Sequence, residues 1–264
     1  MRIIFSALGA TAIAILVYSC ATTPETHRQQ LSLVPEAQVN ALGEEAYRDL
    51  LSKSKLSQNK ALNEEVIKVG QRIAQASGAE FAWEFNVLDD GKTVNAFCLP
   101  GGKVGVYTGI IPIAENTAGL AAVMGHEVAH AVLRHSAERM SQQLVMQLGM
   151  ALATVSFQDS KYKDLIAGAL GVGTVYGITL PFSRYHEAEA DRVGLEYMAK
   201  AGYDPSEAIQ LWYRMAEESN GQRPPEFLST HPDPAQRAKK LQAQLPEVMA
   251  LYEGSPSKTS TRRL

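Results

Sequence analysis

The apolar positions of this chain fall into blocks of different period. From Ala37 to Leu51, and again from Lys60 to Ala76, apolar residues recur every three or four positions, which lines one face of a helix. Pro35 suits the start of the first helix and Gly78 stops the second, whose inner face is Leu62, Val66, Ile67, Val69 and Ile73. The period then changes to two. Trp83 to Val87, Val94 to Phe97 and Val104 to Tyr107 read as three strands, with turns at Asp89-Asp90-Gly91 and Pro100-Gly101-Gly102. They predict a small, mostly antiparallel sheet. Helical spacing returns after Asn116, a good cap, and one long helix is predicted from Thr117 to Met140.

Two apolar, Gly- and Ala-rich runs follow, Leu144 to Phe157 and Leu165 to Leu180, broken by Asp159, Lys161, Lys163 and Asp164. Each is shorter than the roughly twenty residues a membrane crossing needs. They read as a helical hairpin that packs near the site or touches a bilayer surface. Helices from Ser183 to Ala201, after Asp204-Pro205, and from Ala235 to Tyr252 complete the body. The predicted class is α+β, mainly helical, with the sheet placed before the Thr117 helix.

The ends differ from this body. Arg2 precedes an apolar run from Ile3 to Tyr18, then Ser19-Cys20-Ala21. A positive start, an apolar stretch and a small residue make a secretory signal. Leu16, Val17 and Ser19 before Cys20 resemble a bacterial lipobox, so residues 1–19 are predicted to be a lipoprotein signal peptide and Cys20 the lipidated residue. An uncleaved anchor is the alternative, and both hold the body at a membrane. Ala21 directs such a lipoprotein to the outer membrane, facing the periplasm. Residues 20–34 read as a polar tether, 35–252 as the folded domain and 253–264 as a disordered tail without an apolar face. The other cysteine, Cys98, lies between Phe97 and Leu99 and reads as a small buried residue. A net charge of -3 gives no electrostatic case for nucleic acid.

The chemistry concentrates in the Thr117 helix, at His126-Glu127-Val128-Ala129-His130. Residues four apart share a helix face, so two imidazoles can meet one ion with Glu127 beside them. That geometry suits zinc and a general base for its water. The neighbours Val123, Met124, Val128, Ala129, Val132 and Leu133 are apolar. Buried His and Glu in such a setting need partners or a metal. His135, five residues past His130, falls off the ligand face and is expected either behind a ligand or at the surface. Ser136 stands where a metzincin carries its third histidine, which argues against that class. Glu187 and Asp191 share a face of a later helix, and Glu189 points elsewhere. In the gluzincin pattern such a Glu is the third ligand, and an Asp one turn on holds a ligand histidine by its other nitrogen.

These landmarks, with Val94-Asn95-Ala96-Phe97, Pro100-Gly101-Gly102, and Ser229-Thr230-His231-Pro232 followed by Arg237, resemble the zinc metallopeptidases related to HtpX and the CAAX prenyl protease. The lipobox points to their periplasmic lipoprotein branch, which includes LoiP and BepA. The resemblance covers about Pro35 to Tyr252. Gly119 departs from it, and should weaken the helix by up to about 1 kcal/mol. The resemblance implies an endopeptidase of the bacterial envelope that holds one zinc through His126, His130 and Glu187 and cleaves misfolded or unassembled proteins. Glu127 is the expected base, and substrate backbone is expected to pair with the edge at Asn95, Ala96 and Phe97, unless the sheet only covers the helix. His231 is expected to fill the fourth zinc position at rest or to face solvent. Arg237 would steady it or polarise the scissile carbonyl, and Tyr185 is a further candidate beside the oxyanion. Two alternatives stand. One is a zinc-dependent chaperone or scaffold for outer-membrane protein assembly, with that machinery as partner, and the other a small-molecule zinc hydrolase.

Overall fold

The computed structural model describes residues 20–156, 180–219 and 234–264. A two-stranded hairpin, β1 (Cys20–Thr22) and β2 (Gln29–Leu31), leads into α1 (Glu36–Lys53) and α2 (Lys60–Ser77). Strands β3 (Glu84–Leu88), β4 (Ala96–Leu99) and β5 (Lys103–Tyr107) follow, then a short turn of helix α3 (Ile111–Ala114). The remaining elements are α4 (Thr117–Val132), α5 (His135–Ser156), α6 (Leu180–Lys200), α7 (Ser206–Ser219) and α8 (Pro234–Gly254). The α+β class, mainly helical with a small sheet before the HExxH helix, is borne out. Among the described residues, no helix is long and apolar enough to cross a membrane.

Helix α4 is the axis of the molecule. Only Ala122, His130 and Ala131 along it escape full burial. A helix apolar nearly all round belongs in a core, and α2, β4, α6 and α7 pack around this one. Asn116 caps it as expected, its side chain accepting from the Ala118 and Gly119 amides at 3.0 and 2.9 Å. Gly125 meets Gly194 of α6 so closely that a Cβ on Gly125 would lie 2.7 Å from the Gly194 carbonyl oxygen. Two backbones therefore touch, which brings α6 against α4 one residue before His126. Gly119 has a similar reason: a Cβ there would collide with the Ala114 carbonyl oxygen. Close approach therefore demands glycine at this position, whatever it costs the helix.

The sheet order is β3-β5-β4. Strand β5 is parallel to β3, from Glu84↔Lys103 to Leu88↔Tyr107, and antiparallel to β4, from Ala96↔Val106 to Leu99↔Lys103. The last strand in sequence therefore enters between the other two, leaving β4 at an edge.

Three expectations change. The long Thr117–Met140 helix ends at Val132, and Arg134 takes a left-handed φ of 58° before α5 begins at His135. Periodicity does not register a single residue that changes backbone region. The expected tether pairs as β1–β2, with Cys20 opposite Leu31. The expected disordered tail lies along the body: the Thr117 amide donates to the Arg262 carbonyl at 2.8 Å, and the Thr259 amide to the Gly202 carbonyl at 2.9 Å. Backbone hydrogen bonds hold it, so no apolar face was needed. Most of the predicted apolar hairpin, and His231, fall outside the described residues.

Candidate metal centre

The chain brings His126 and His130 of α4 and Glu187 of α6 to one point, their donor atoms all within 4.8 Å of one another. The two Nε2 atoms are 3.0 Å apart. Glu187 Oε2 lies 3.3 Å from His126 Nε2, and Oε1 lies 3.3 Å from His130 Nε2. Donors at about 2.0–2.2 Å around a tetrahedral zinc sit about 3.3–3.6 Å from each other. The two 3.3 Å edges match that range, the 3.0 Å edge between the imidazoles is shorter, and the donor set suits one such ion. Lone pairs converging this closely also require a proton or a cation among them.

Glu127 follows His126 into the buried interior, 4% exposed. Burial pushes its carboxyl up to about 7; His126 and Arg237 pull it down, Glu187 pushes it up, and the Cys98 amide of β4 donates to it. A base that titrates near neutrality suits proton transfer at neutral pH. The same amide contact sets β4 beside Glu127. Ala96 and Phe97 lie on that edge strand, while Asn95 precedes it and accepts from the Tyr107 amide at 3.1 Å. Cys98 is buried and free, as expected.

Behind His126, Asp191 Oδ1 lies 3.1 Å from Nδ1. This is the predicted carboxylate on the far side of a ligand, which fixes the tautomer. Arg237 of α8 donates from Nε to Asp191 Oδ2 at 2.8 Å and pairs through Nη1 with Glu187 Oε2 at 3.0 Å. Its guanidinium stacks on Trp212, 3.6 Å from the ring centre. Against the cost of burial, Arg237 and His126 hold Asp191 down at about 2. Burial and Arg237 push His126 down, but Asp191 and Glu187 outweigh them and raise it to about 9. Arg237 was expected beside His231 or the substrate carbonyl. His231 lies outside the described residues; Arg237 itself, 5% exposed, balances two buried carboxylates and brings Nη2 to 3.0 Å from His126 Nδ1 and 3.2 Å from Nε2. Tyr185, 52% exposed, covers Arg28 at 5.2 Å from its ring.

Behind His130 the backing is longer. His135 Nδ1 lies 2.9 Å from His130 Nδ1, and His135 Nε2 lies 3.1 Å from Glu189 Oε2. Glu189 points off the ligand face, as expected, and also accepts from Arg28 Nε at 2.9 Å. Arg28 grips Glu138 with its other two nitrogens at 3.0 and 2.7 Å. His186 Nε2 lies 3.1 Å from Glu138 Oε2, and its ring stacks on His135 with centres 4.3 Å apart. Burial drives His135 down to about 3, so its ring is neutral at pH 7. The sequence reading of the site missed Arg28, Glu138 and His186. A signal existed: His135-x-x-Glu138 and His186-x-x-Glu189 are matched pairs, and the fold crosses their partners.

Residues 60–245 match the model of Peptidase family M48. The chain is 41% identical over 192 residues, 72% of its length and 55% of the relative's, to "Mitochondrial metalloendopeptidase OMA1" of Schizosaccharomyces pombe. It is 31% identical over 234 residues to the Homo sapiens "Metalloendopeptidase OMA1, mitochondrial", covering 86% of this chain and 44% of that one. It is 28% identical over 228 residues to the "Beta-barrel assembly-enhancing protease" of Escherichia coli, covering 83% and 46%. The chain spans about half the length of these relatives. The expected resemblance to BepA-like proteins holds at the level of the family. The expected bacterial-envelope function and periplasmic location are overturned, and the relatives lend no support to lipidation of Cys20 or to outer-membrane machinery as partner. The matches at 38 and 41% identity are mitochondrial, and the bacterial ones lie at 28–30%. An apolar segment after one positive charge reports affinity for a membrane and does not name which membrane. By its family match over residues 60–245, the chain belongs to Peptidase family M48.

Proposed function

We propose that this chain is a zinc-dependent endopeptidase that cuts protein substrates laid along β4. The observation that carries the reading is the convergence of His126, His130 and Glu187 beside a buried Glu127 that touches the edge strand. The relatives named metalloendopeptidases support an internal cut in a protein. The domain expected at residues 35–252 contains the family match at 60–245 and all three proposed ligands.

When bound, a zinc ion supplies Lewis acidity to water and to the scissile carbonyl. His126, His130 and Glu187 hold it, and Asp191 and His135 keep the two imidazoles turned toward it. Glu127 takes the proton of the attacking water and passes it to the leaving amine nitrogen. The outer edge of β4, whose Ala96 amide is held by the Asn95 side chain at 2.9 Å, pairs with substrate backbone as an added strand once those local bonds exchange. Phe97 closes on Tyr47 and Tyr107, with ring centres 6.3 and 6.2 Å away, and stiffens that edge.

The test uses the purified full chain beside its Glu127→Gln twin. Metal content is measured, and an unfolded protein is incubated with each. One zinc per chain in both, with fragments from the parent alone, is the expected result. A parent without zinc, or a twin that cuts equally well, overturns the proposal.

A further inference from the structure

The neutral ring of a histidine that binds metal through Nε2 carries its proton on Nδ1. In His130 that proton points at His135 Nδ1, 2.9 Å away, which must accept it. The remaining proton of His135 then lies on Nε2, aimed at Glu189 Oε2 at 3.1 Å. Every donor and acceptor in this row has one consistent assignment. The row ends on the N-terminal hairpin, where Arg28 donates to Glu189 at 2.9 Å and the Thr26 hydroxyl also donates to it.

We propose that His135, Glu189 and Arg28 are positioning residues of the metal centre: the N-terminal hairpin, through Arg28, sets the tautomer of His135 and thereby turns His130 onto the ion. The inference rests on reading His126, His130 and Glu187 as the zinc ligands. Arg28 stands outside the family match at 60–245, so the hairpin completes a centre whose ligands all lie inside it.

The argument for Arg28 is electrostatic and geometric. Glu138 and Glu189 are both buried, and each serves one of two stacked imidazoles. Two buried carboxylates side by side need a shared cation. The guanidinium reaches Glu189 with Nε and Glu138 with Nη1 and Nη2. A planar fork suits that bridge and a Lys ammonium does not. A network that only fastened the hairpin would not require His135 to stand between Glu189 and a ligand.

The test reads the metal centre as well as stability. In the zinc-loaded full chain, long-range proton–nitrogen spectra of the histidine rings should show His130 protonated on Nδ1 and His135 on Nε2. A proton on His135 Nδ1 overturns the proposal without any variant. Glu189→Gln should weaken zinc about 10- to 100-fold in competition with a chelating dye, as removal of such outer partners typically does. Arg28→Ala should weaken it by roughly tenfold, and Arg28→Lys should recover part of that loss. Each variant should also move the visible bands of the cobalt-substituted protein. Arg214→Ala, which frees Glu207 and the Ile113 carbonyl far from this row, should lower the melting temperature and leave affinity and spectrum unchanged. Parent-like affinity and spectrum in both Glu189→Gln and Arg28→Ala would sink the inference. A parent that holds zinc but cuts nothing defeats only the endopeptidase reading; a parent without zinc defeats both.

Discussion

His126 and His130 stand one turn apart and meet the same requirement by different routes. Each imidazole has to keep its second nitrogen occupied so that Nε2 faces the ion. For His126 the partner is a carboxylate in direct contact, Asp191, neutralised by Arg237 on a platform of Trp212. All of these residues lie within the family match. For His130 the partner is another imidazole, and the carboxylate is one step further away, neutralised by an arginine 161 positions from it in sequence. One side is compact and local to the ligand helices. The other depends on a segment that folds back from the start of the described chain. The difference teaches that the ligands alone do not define the centre, because the orientation of each is set by a separate part of the molecule.

The strongest way to sharpen the comparison is to remove the chemistry and leave both sides intact. Glu127→Gln should cut turnover about 10²- to 10⁴-fold, the usual share of a general base. Zinc content should stay at the parent level, and the melting temperature should hold or rise, since a buried carboxyl is relieved. Asp191→Asn tests the compact side. It should lower zinc affinity about 10- to 100-fold in chelator competition. Combined with Glu189→Gln, the two losses should multiply if the sides act independently, and a clear shortfall would show that they are coupled.

A smaller effect probes the His130 side by acid, read as the part of the slope that a Glu138 substitution removes. Burial pushes Glu138 up, but hydrogen bonds from His186 and Arg28 outweigh it and hold the group at about 2, against an ordinary 4.5. A depressed folded value gives stability that is whole above about 4.5 and is lost as pH falls through about 2. Melting temperature measured in excess chelator between pH 5 and 2 should therefore fall, and Glu138→Gln should flatten that slope. The smallest expected effect belongs to neither side. Asn116→Ala removes the cap of α4 and should cost about 1 kcal/mol in denaturant unfolding, with zinc affinity unchanged. An affinity loss there would mean that the whole helix, and not its two backings, sets the ligands.

Asp191 could be read from the chain because it stands four residues from Glu187 on one helix face, and the HExxH pair because a helix repeats every turn. His135 was correctly excluded as a ligand by the same rule, since five residues along an unbroken helix turn a side chain about 140° away. Its actual place depends on Arg134, whose left-handed backbone bends the chain and returns the ring to His130. Glu189 was read as pointing elsewhere because only the ligand face was considered; its partners come from α5 and the hairpin. Strand order was hidden for a related reason: β5 follows β4 in sequence but inserts beside β3.

By itself, the sequence determined the mainly helical class, the two helices that carry His126, His130 and Glu187, the place of Glu127 beside them and the cap of α4. These follow from spacing along one element, where covalent geometry fixes which side chains share a face. Tertiary structure alone decided that Arg237 joins Asp191 to Glu187 beside His126, that the tail binds the start of α4, and that Arg28 stands at the end of the His130 row. Those contacts join residues remote in the chain. They exist because buried charges seek opposite charges and buried backbone groups seek hydrogen bonds, wherever packing has brought a partner within reach.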